Sequence, residues 1–154
     1  MKGLKSLIAK HYTKEEFAWI MQDWANSVYS LMITTAIFPL YFKTVSSNAG
    51  ISAADSTAFL GYANSIATFA VSIMAPVLGA LADYKGYRNP MFTWSTLLGV
   101  FSVIGMMFAE TDQWILLLAL YTLSAIGYSA SNIFYDSSIM DVTTYDRMDR
   151  ISAA

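Results

Sequence analysis

Few side chains in this 154-residue sequence can do chemistry, and most of them stand out against apolar surroundings. The stretch "GALADYKGYRNP", Gly79 to Pro90, sets Asp83, Lys85 and Arg88 between two long apolar runs. Asp23, Asn26, Ser27, Ser30 and Thr34 recur every three or four residues. So do Tyr121, Ser124, Tyr128, Ser131 and Tyr135, with Asn132 beside them, and this spacing puts each set along one helical face. Asn64, Thr68 and Ser72 form a shorter ladder. Such groups make hydrogen bonds and ion pairs. With no cysteine and the single His11, the sequence offers no thiolate nucleophile, disulfide, Cys-based metal site or His cluster. Asp136, Asp141, Asp146 and Asp149 are the acidic series to weigh for Mg²⁺-assisted phosphoryl transfer, yet the interleaved Arg147 and Arg150 suggest a salt-bridged, solvated helix. No enzyme activity, metal or other cofactor is expected.

The elements that position these residues follow from composition. The chain is 56% hydrophobic and 13% charged, against about a quarter charged in soluble domains, so it reads as an integral membrane protein with the lipid bilayer as a partner. A hydrocarbon core about 30 Å thick needs roughly 20 apolar residues of helix. Four stretches meet that need: Trp24–Phe42, Thr57–Leu81, Met91–Ala109 and Trp114–Tyr135. Each must be helical, because a segment in lipid has to satisfy its own backbone hydrogen bonds. The fold class is therefore all-α, with four transmembrane helices. Thr13-Lys-Glu-Glu16 and Ser52-Ala-Ala-Asp55 have capping-box spacing ahead of the first two helices.

Lys2, Lys5, Lys10, Lys14, Lys85, Arg88, Arg147 and Arg150 fall on one side of these spans and Lys43 alone on the other. The positive-inside rule then puts both ends of the chain and the GALADYKGYRNP loop in the cytoplasm. The expected organisation is a cytoplasmic segment 1–22, a membrane region 23–135 and a cytoplasmic loop 136–154. A net charge of -2 gives no case for nucleic-acid binding. In the loop, Gly79 and Ala80 are expected to allow close helix approach and Gly86 a tight turn. Asp83 sits where a helix dipole favours cations, so it is expected to meet a cation or the start of another helix.

Gly79-x-Leu81-Ala82-Asp83-x-x-Gly86-x-Arg88 resembles the loop between the second and third spans of major facilitator superfamily transporters. The match falls where that topology requires it. "DWANSVYS", "FPLYF", "FYDSSIMD", Gly61-Tyr62-Ala63-Asn64 and "APVLGALADY" are similar to the branch called the unidentified major facilitator family, which includes vacuolar amino-acid effluxers. The sequence departs from that pattern at Tyr84 and Tyr87, where basic residues are common, and at Asp136, where relatives tend to have Asn. The resemblance implies the first part of an N-terminal six-helix bundle, one three-helix repeat plus the first helix of the next, with 136–154 leading to a fifth span. It further implies secondary transport of a small solute by alternating access, with amino-acid export the leading guess and the C-terminal remainder of the same carrier as partner. Gly79, Asp83, Gly86 and Arg88 would form its conformational latch.

Polar groups in hydrocarbon are costly and turn toward a cavity or a neighbouring helix. Asp23, Asn26, Ser27, Ser30, Thr34, Asn64, Thr68, Ser124, Tyr128, Ser131 and Asn132 are thus the candidates for the solute path. The short loops suit a bacterial inner (plasma) membrane. Two other readings are a complete four-span dimeric exporter, which would need a carboxylate deeper in the first span than Asp23, and a membrane-embedded Mg-dependent enzyme.

Overall fold

The structure is a computed structural model that describes residues 12–84, 86–110 and 112–152, without the side chain of Arg150. Expectations placed on the first eleven residues, Lys85 and Arg150's charge lie outside the described residues. Every regular element among the described residues is helical.

Helix α1 runs Lys14–Asn48. It opens on a complete capping box: Thr13 Oγ1 accepts from Glu16 N at 3.2 Å, and Glu16 Oε2 accepts from Thr13 N at 2.8 Å. The helix is α-helical over Lys14–Val28, π-helical over Tyr29–Ile37 and α-helical again over Phe38–Asn48. Gly50, at φ +79°, makes the turn into α2, a conformation that favours glycine. Helix α2, Ala53–Ala82, starts at Ser52, whose hydroxyl accepts from Asp55 N. Here the second arm of the expected capping box is replaced: Ser52 Oγ donates to the Asp55 carboxylate at 2.7 Å. Helices α3, Arg88–Met106, and α4, Trp114–Ser137, follow. Two short helices, α5 (Ile139–Val142) and α6 (Tyr145–Ser152), complete the described chain.

Among the described residues three helices, α1, α2 and α4, are long and apolar enough to cross a membrane. The expected third span is α3, which has 19 residues, stops at Met106 instead of Ala109, and spends its first turn on Arg88-Asn89-Pro90. With only 19 residues α3 has almost no stretch of spanning length free of that polar turn, whereas the 35-residue α1 has apolar length to spare beyond its own charged start. At 1.5 Å per residue the 35-residue α1 is about 52 Å long, so its first turns project beyond a 30 Å hydrocarbon layer.

Helix α4 is the centre of the packing, with α2 and α3 against it and α1 alongside. At one end Phe38, Phe42, Val45, Ala63, Met106, Leu117 and Tyr121 form a buried cluster, and the Phe38 and Tyr121 rings stack at 3.9 Å. At the other, Leu78 and Ala82 meet Ala130 and Phe134. Ile66, Phe69, Ile73 and Val77 of α2 and Trp94 and Phe101 of α3 stay exposed, as a lipid-facing surface requires. The tightest contact is between α3 and α4. A Cβ built on Gly127 would lie 2.7 Å from Gly99 N and 2.8 Å from Ser95 O. Glycine there lets the two backbones touch, the means by which helices associate where lipid removes the hydrophobic drive.

Candidate functional site

A polar groove of about 420 Å³ runs between α1 and α4. Asp23, Asn26, Ser27, Ser30, Leu31 and Thr35 line it from α1, and Tyr128, Asn132, Tyr135 and Asp136 from α4. Asn26 Nδ2 donates to Asn132 Oδ1 at 2.7 Å, and Tyr128 Oη donates to the Asn26 carbonyl at 3.3 Å. These bonds fix the floor. Asp23 and Asp136 place two carboxylates in the same groove, and among the described residues no lysine, arginine or histidine lines it. The wall carries acceptors in excess, which suits a solute rich in hydrogen-bond donors or carrying positive charge.

Six of the eleven expected path residues thus meet here: Asp23, Asn26, Ser27, Ser30, Tyr128 and Asn132. The other five do not line the groove. Ser124 is fully buried and shares a 2.6 Å hydrogen bond with Tyr29 Oη, whose ring stacks on Tyr128 at 4.4 Å. Ser131 donates to its own helix at Tyr128 O, 2.8 Å away, and faces a mainly apolar cavity of about 350 Å³ between α1, α3 and α4. Thr34 is half-buried beside the Tyr121 hydroxyl. Asn64, on α2, accepts from Tyr121 Oη at 2.8 Å, and the Thr68 carbonyl accepts from Ser72 Oγ at 2.8 Å. The Thr34, Asn64 and Ser124 side chains thus join helices and Ser131 bonds back to its own, while Thr68 is exposed and contributes its carbonyl. Four groove residues lie outside the expected path set: Leu31, which is apolar; Thr35, one position out of register with an α-helical ladder; Tyr135, read on the polar face of α4 but not as a path residue; and Asp136, visible only as part of the acidic series.

The loop meets expectation in part. A Cβ on Gly79 would meet nothing within 4 Å, so that glycine serves no close approach. The tight turn expected at Gly86 is present, closed by Tyr87 N donating to Tyr84 O at 3.0 Å. Asp83 caps α2 and is exposed; among the described residues its carboxylate forms no ion pair. Arg88 reaches forward to the end of α4. Its guanidinium pairs with Asp141 on α5 and donates to Ser137 O at 3.4 Å. That engagement withdraws Asp141 from a metal-binding series, and among the described residues no three His, Asp or Glu are grouped to hold a metal.

A second polar tie lies at the start of α1. The buried Glu16 accepts from Thr143 Oγ1 at 2.7 Å and pairs with Arg147 at 3.0 Å, joining α1 to the α5–α6 segment. Glu16 precedes the expected span. The backbone hydrogen bond from Thr13 is the largest influence on its carboxyl; with Thr143 and Arg147 it outweighs burial and holds the group below the ordinary carboxylate value. Nearby, Trp19 and Tyr135 stack at 4.6 Å, and Tyr135 Oη donates to Trp19 O at 2.9 Å.

Comparison with known proteins assigns the family. The pattern described as "Vacuole effluxer Atg22 like" matches residues 52–147, more than half the chain. The chain belongs to the Atg22-like family. Over 144 residues, 94% of its length, it is 46% identical to the "Uncharacterized MFS-type transporter YxiO" of Bacillus subtilis (strain 168). It covers 34% of that relative, about a third of its length. No solved structure matches. Both matches are to transporters, so this Atg22-like chain is a major-facilitator-type membrane protein, and the loop and span signatures agree with that assignment.

Proposed function

We propose that this chain forms the N-terminal part of a secondary transporter that moves a small polar solute by alternating access, and that the α1–α4 groove is one wall of the solute path. The observation that carries this reading is the groove itself: two carboxylates, two bonded asparagines and five hydroxyls, held between two helices long and apolar enough to cross a membrane. Polar groups at such a place are expensive unless they serve a path or each other. In this reading α3 is the fourth spanning helix despite its polar first turn, and both ends of the segment face the cytoplasm of a bacterial plasma membrane. The remainder of the carrier supplies the opposite wall. Amino-acid export is the leading substrate reading, from the effluxer description of the family. Gly79, Asp83, Gly86 and Arg88 act as the latch, with Arg88 holding the loop to the end of α4 through Asp141 in the present conformation.

The test is flux from proteoliposomes that contain the full-length protein and are loaded with a labelled amino-acid mixture. Asp23→Asn and Asn26→Ala are expected to cut flux at least tenfold at equal protein amounts. Flux untouched by both substitutions would remove the groove from the path, and absence of flux with any amino acid would remove the substrate reading. Asp83→Ala and Arg88→Ala leaving flux unchanged would reduce the loop to a turn.

A further inference from the structure

Helix α1 meets the groove through Asp23, Asn26, Ser27, Ser30, Leu31 and Thr35, and a continuous α-helix does not give the last of these. At about 100° per residue, Thr34 would lie only about 20° around the helix from Asp23, and Thr35 about 120° away. The observed order is reversed: Thr35 lines the groove, while Thr34 turns toward Tyr121 of α4. The π-helical stretch Tyr29–Ile37 is the cause. Bonds from i to i+5 put more residues in each turn, so the chain rotates less per residue and the groove face arrives one position late. Thr35 Oγ1 donates to Ser30 O, five residues back, at 3.0 Å, which ties the two groove hydroxyl residues into this register. Pro39, just beyond, has no N–H to continue the ladder, and α-helical geometry resumes from Phe38. With its proton committed to Ser30, the Thr35 hydroxyl presents acceptor sites to the groove, matching the acceptor-rich character that Asp23 and Asp136 give the rest of the wall.

We infer that Thr35 is a residue of the aqueous solute path, offering a hydrogen-bond acceptor to a donor-bearing solute, and that the π-helical register of α1 puts it there in place of Thr34. This rests on the groove being the path. These 154 residues hold no cysteine, so an introduced thiol is the only one in this part of the protein, and peptide mass mapping assigns its modification within the full-length chain. Single variants Ser27→Cys, Ser30→Cys, Thr34→Cys and Thr35→Cys of the full-length protein are treated in membrane vesicles of both orientations with a membrane-impermeant maleimide, at matched protein amounts. Modification at 35 at least tenfold faster than at 34, together with reaction at 27 and 30, is the expected result. Equal rates at 34 and 35, or faster reaction at 34, overturn the register while leaving the groove as path. Reaction at 27 with neither 34 nor 35 modified does the same. If none of the four reacts from either side, the groove is not an aqueous path, and the proposed function fails along with the inference.

Discussion

Gly127→Ala and Gly99→Ala add the same methyl group to facing glycines of α4 and α3, and the structure assigns them different costs. At Gly127 the new Cβ would stand 2.7 Å from Gly99 N, 2.8 Å from Ser95 O and 3.1 Å from Gly99 Cα, all backbone atoms. Optimal contacts lie at about 3.5–4.0 Å, so the overlap approaches an ångström and no side chain can rotate to relieve it. The helices must separate. Overpacking of this kind costs about 1–3 kcal/mol. At Gly99 the nearest atoms are Ser124 O and Tyr128 N, both at 3.7 Å, which is ordinary contact. Replacing a helical glycine by alanine gains about 0.8–1 kcal/mol of intrinsic helix preference at either site, so that gain cancels in the comparison. Gly127→Ala should therefore be less stable than Gly99→Ala by about 1–3 kcal/mol. At roughly 2–4 °C per kcal/mol for a chain of this size, that is a difference of about 2–12 °C in the melting temperature. Thermal unfolding of the two variants in detergent, followed by intrinsic tryptophan fluorescence, measures it. Gly127→Ala melting at or above Gly99→Ala would refute the close-approach argument.

Three further outcomes follow from the polar ties. Because the folded-state pKa of Glu16 is depressed, the stabilisation it supplies is present above the unfolded carboxylate value of about 4.3 and is lost as pH falls through the lower folded value. Glu16→Gln should flatten that acid limb and raise hydrogen exchange over residues 139–152; an unchanged acid limb would remove Glu16 from the account. Tyr121→Phe keeps the stack on Phe38 and deletes the bond to Asn64, so a double-mutant cycle with Asn64→Ala should return a coupling of about 0.6 kcal/mol, and a null coupling would mean that bond is not formed. Arg88→Asp should weaken the link from α3 to α5, worth up to about 1 kcal/mol at this partly exposed pair, and Asp141→Arg in the same chain should restore part of it. Melting temperatures of the two single variants and the charge swap decide this, and a swap no better than the worse single variant would count against the pair.

The helices were legible because their signals are local. Apolar runs of sufficient length, the Thr13–Glu16 capping box and the Ser52 cap are read within a few residues of each boundary, and the structure places helices there. What was not legible depends on a partner elsewhere in the chain. Gly127 looks like any small residue of an apolar run until Gly99 and Ser95 arrive against it, whereas Gly79 and Gly86, conspicuous in their loop, meet nothing. Arg88 finds Asp141 53 positions on, and Glu16 finds Thr143 127 positions on. The same limit governs the site. A 3.6-residue period identifies the polar face of α4, but it does not say which groups on that face are already satisfied. Tyr121 is committed to Asn64, Ser124 to Tyr29, and Ser131 to the carbonyl of Tyr128. Among the described residues the Asn132 side chain has one bond, to Asn26, and a single bond leaves part of a side-chain amide's hydrogen-bonding capacity unused. Asp136 and Asp23 both line the groove, and among the described residues neither carboxyl takes part in a salt bridge. A solute can be recognised only by hydrogen-bonding capacity the protein has not spent on itself, and along α4 that capacity is concentrated at Asn132 and Asp136, opposite Asp23, Ser27 and Thr35 of α1.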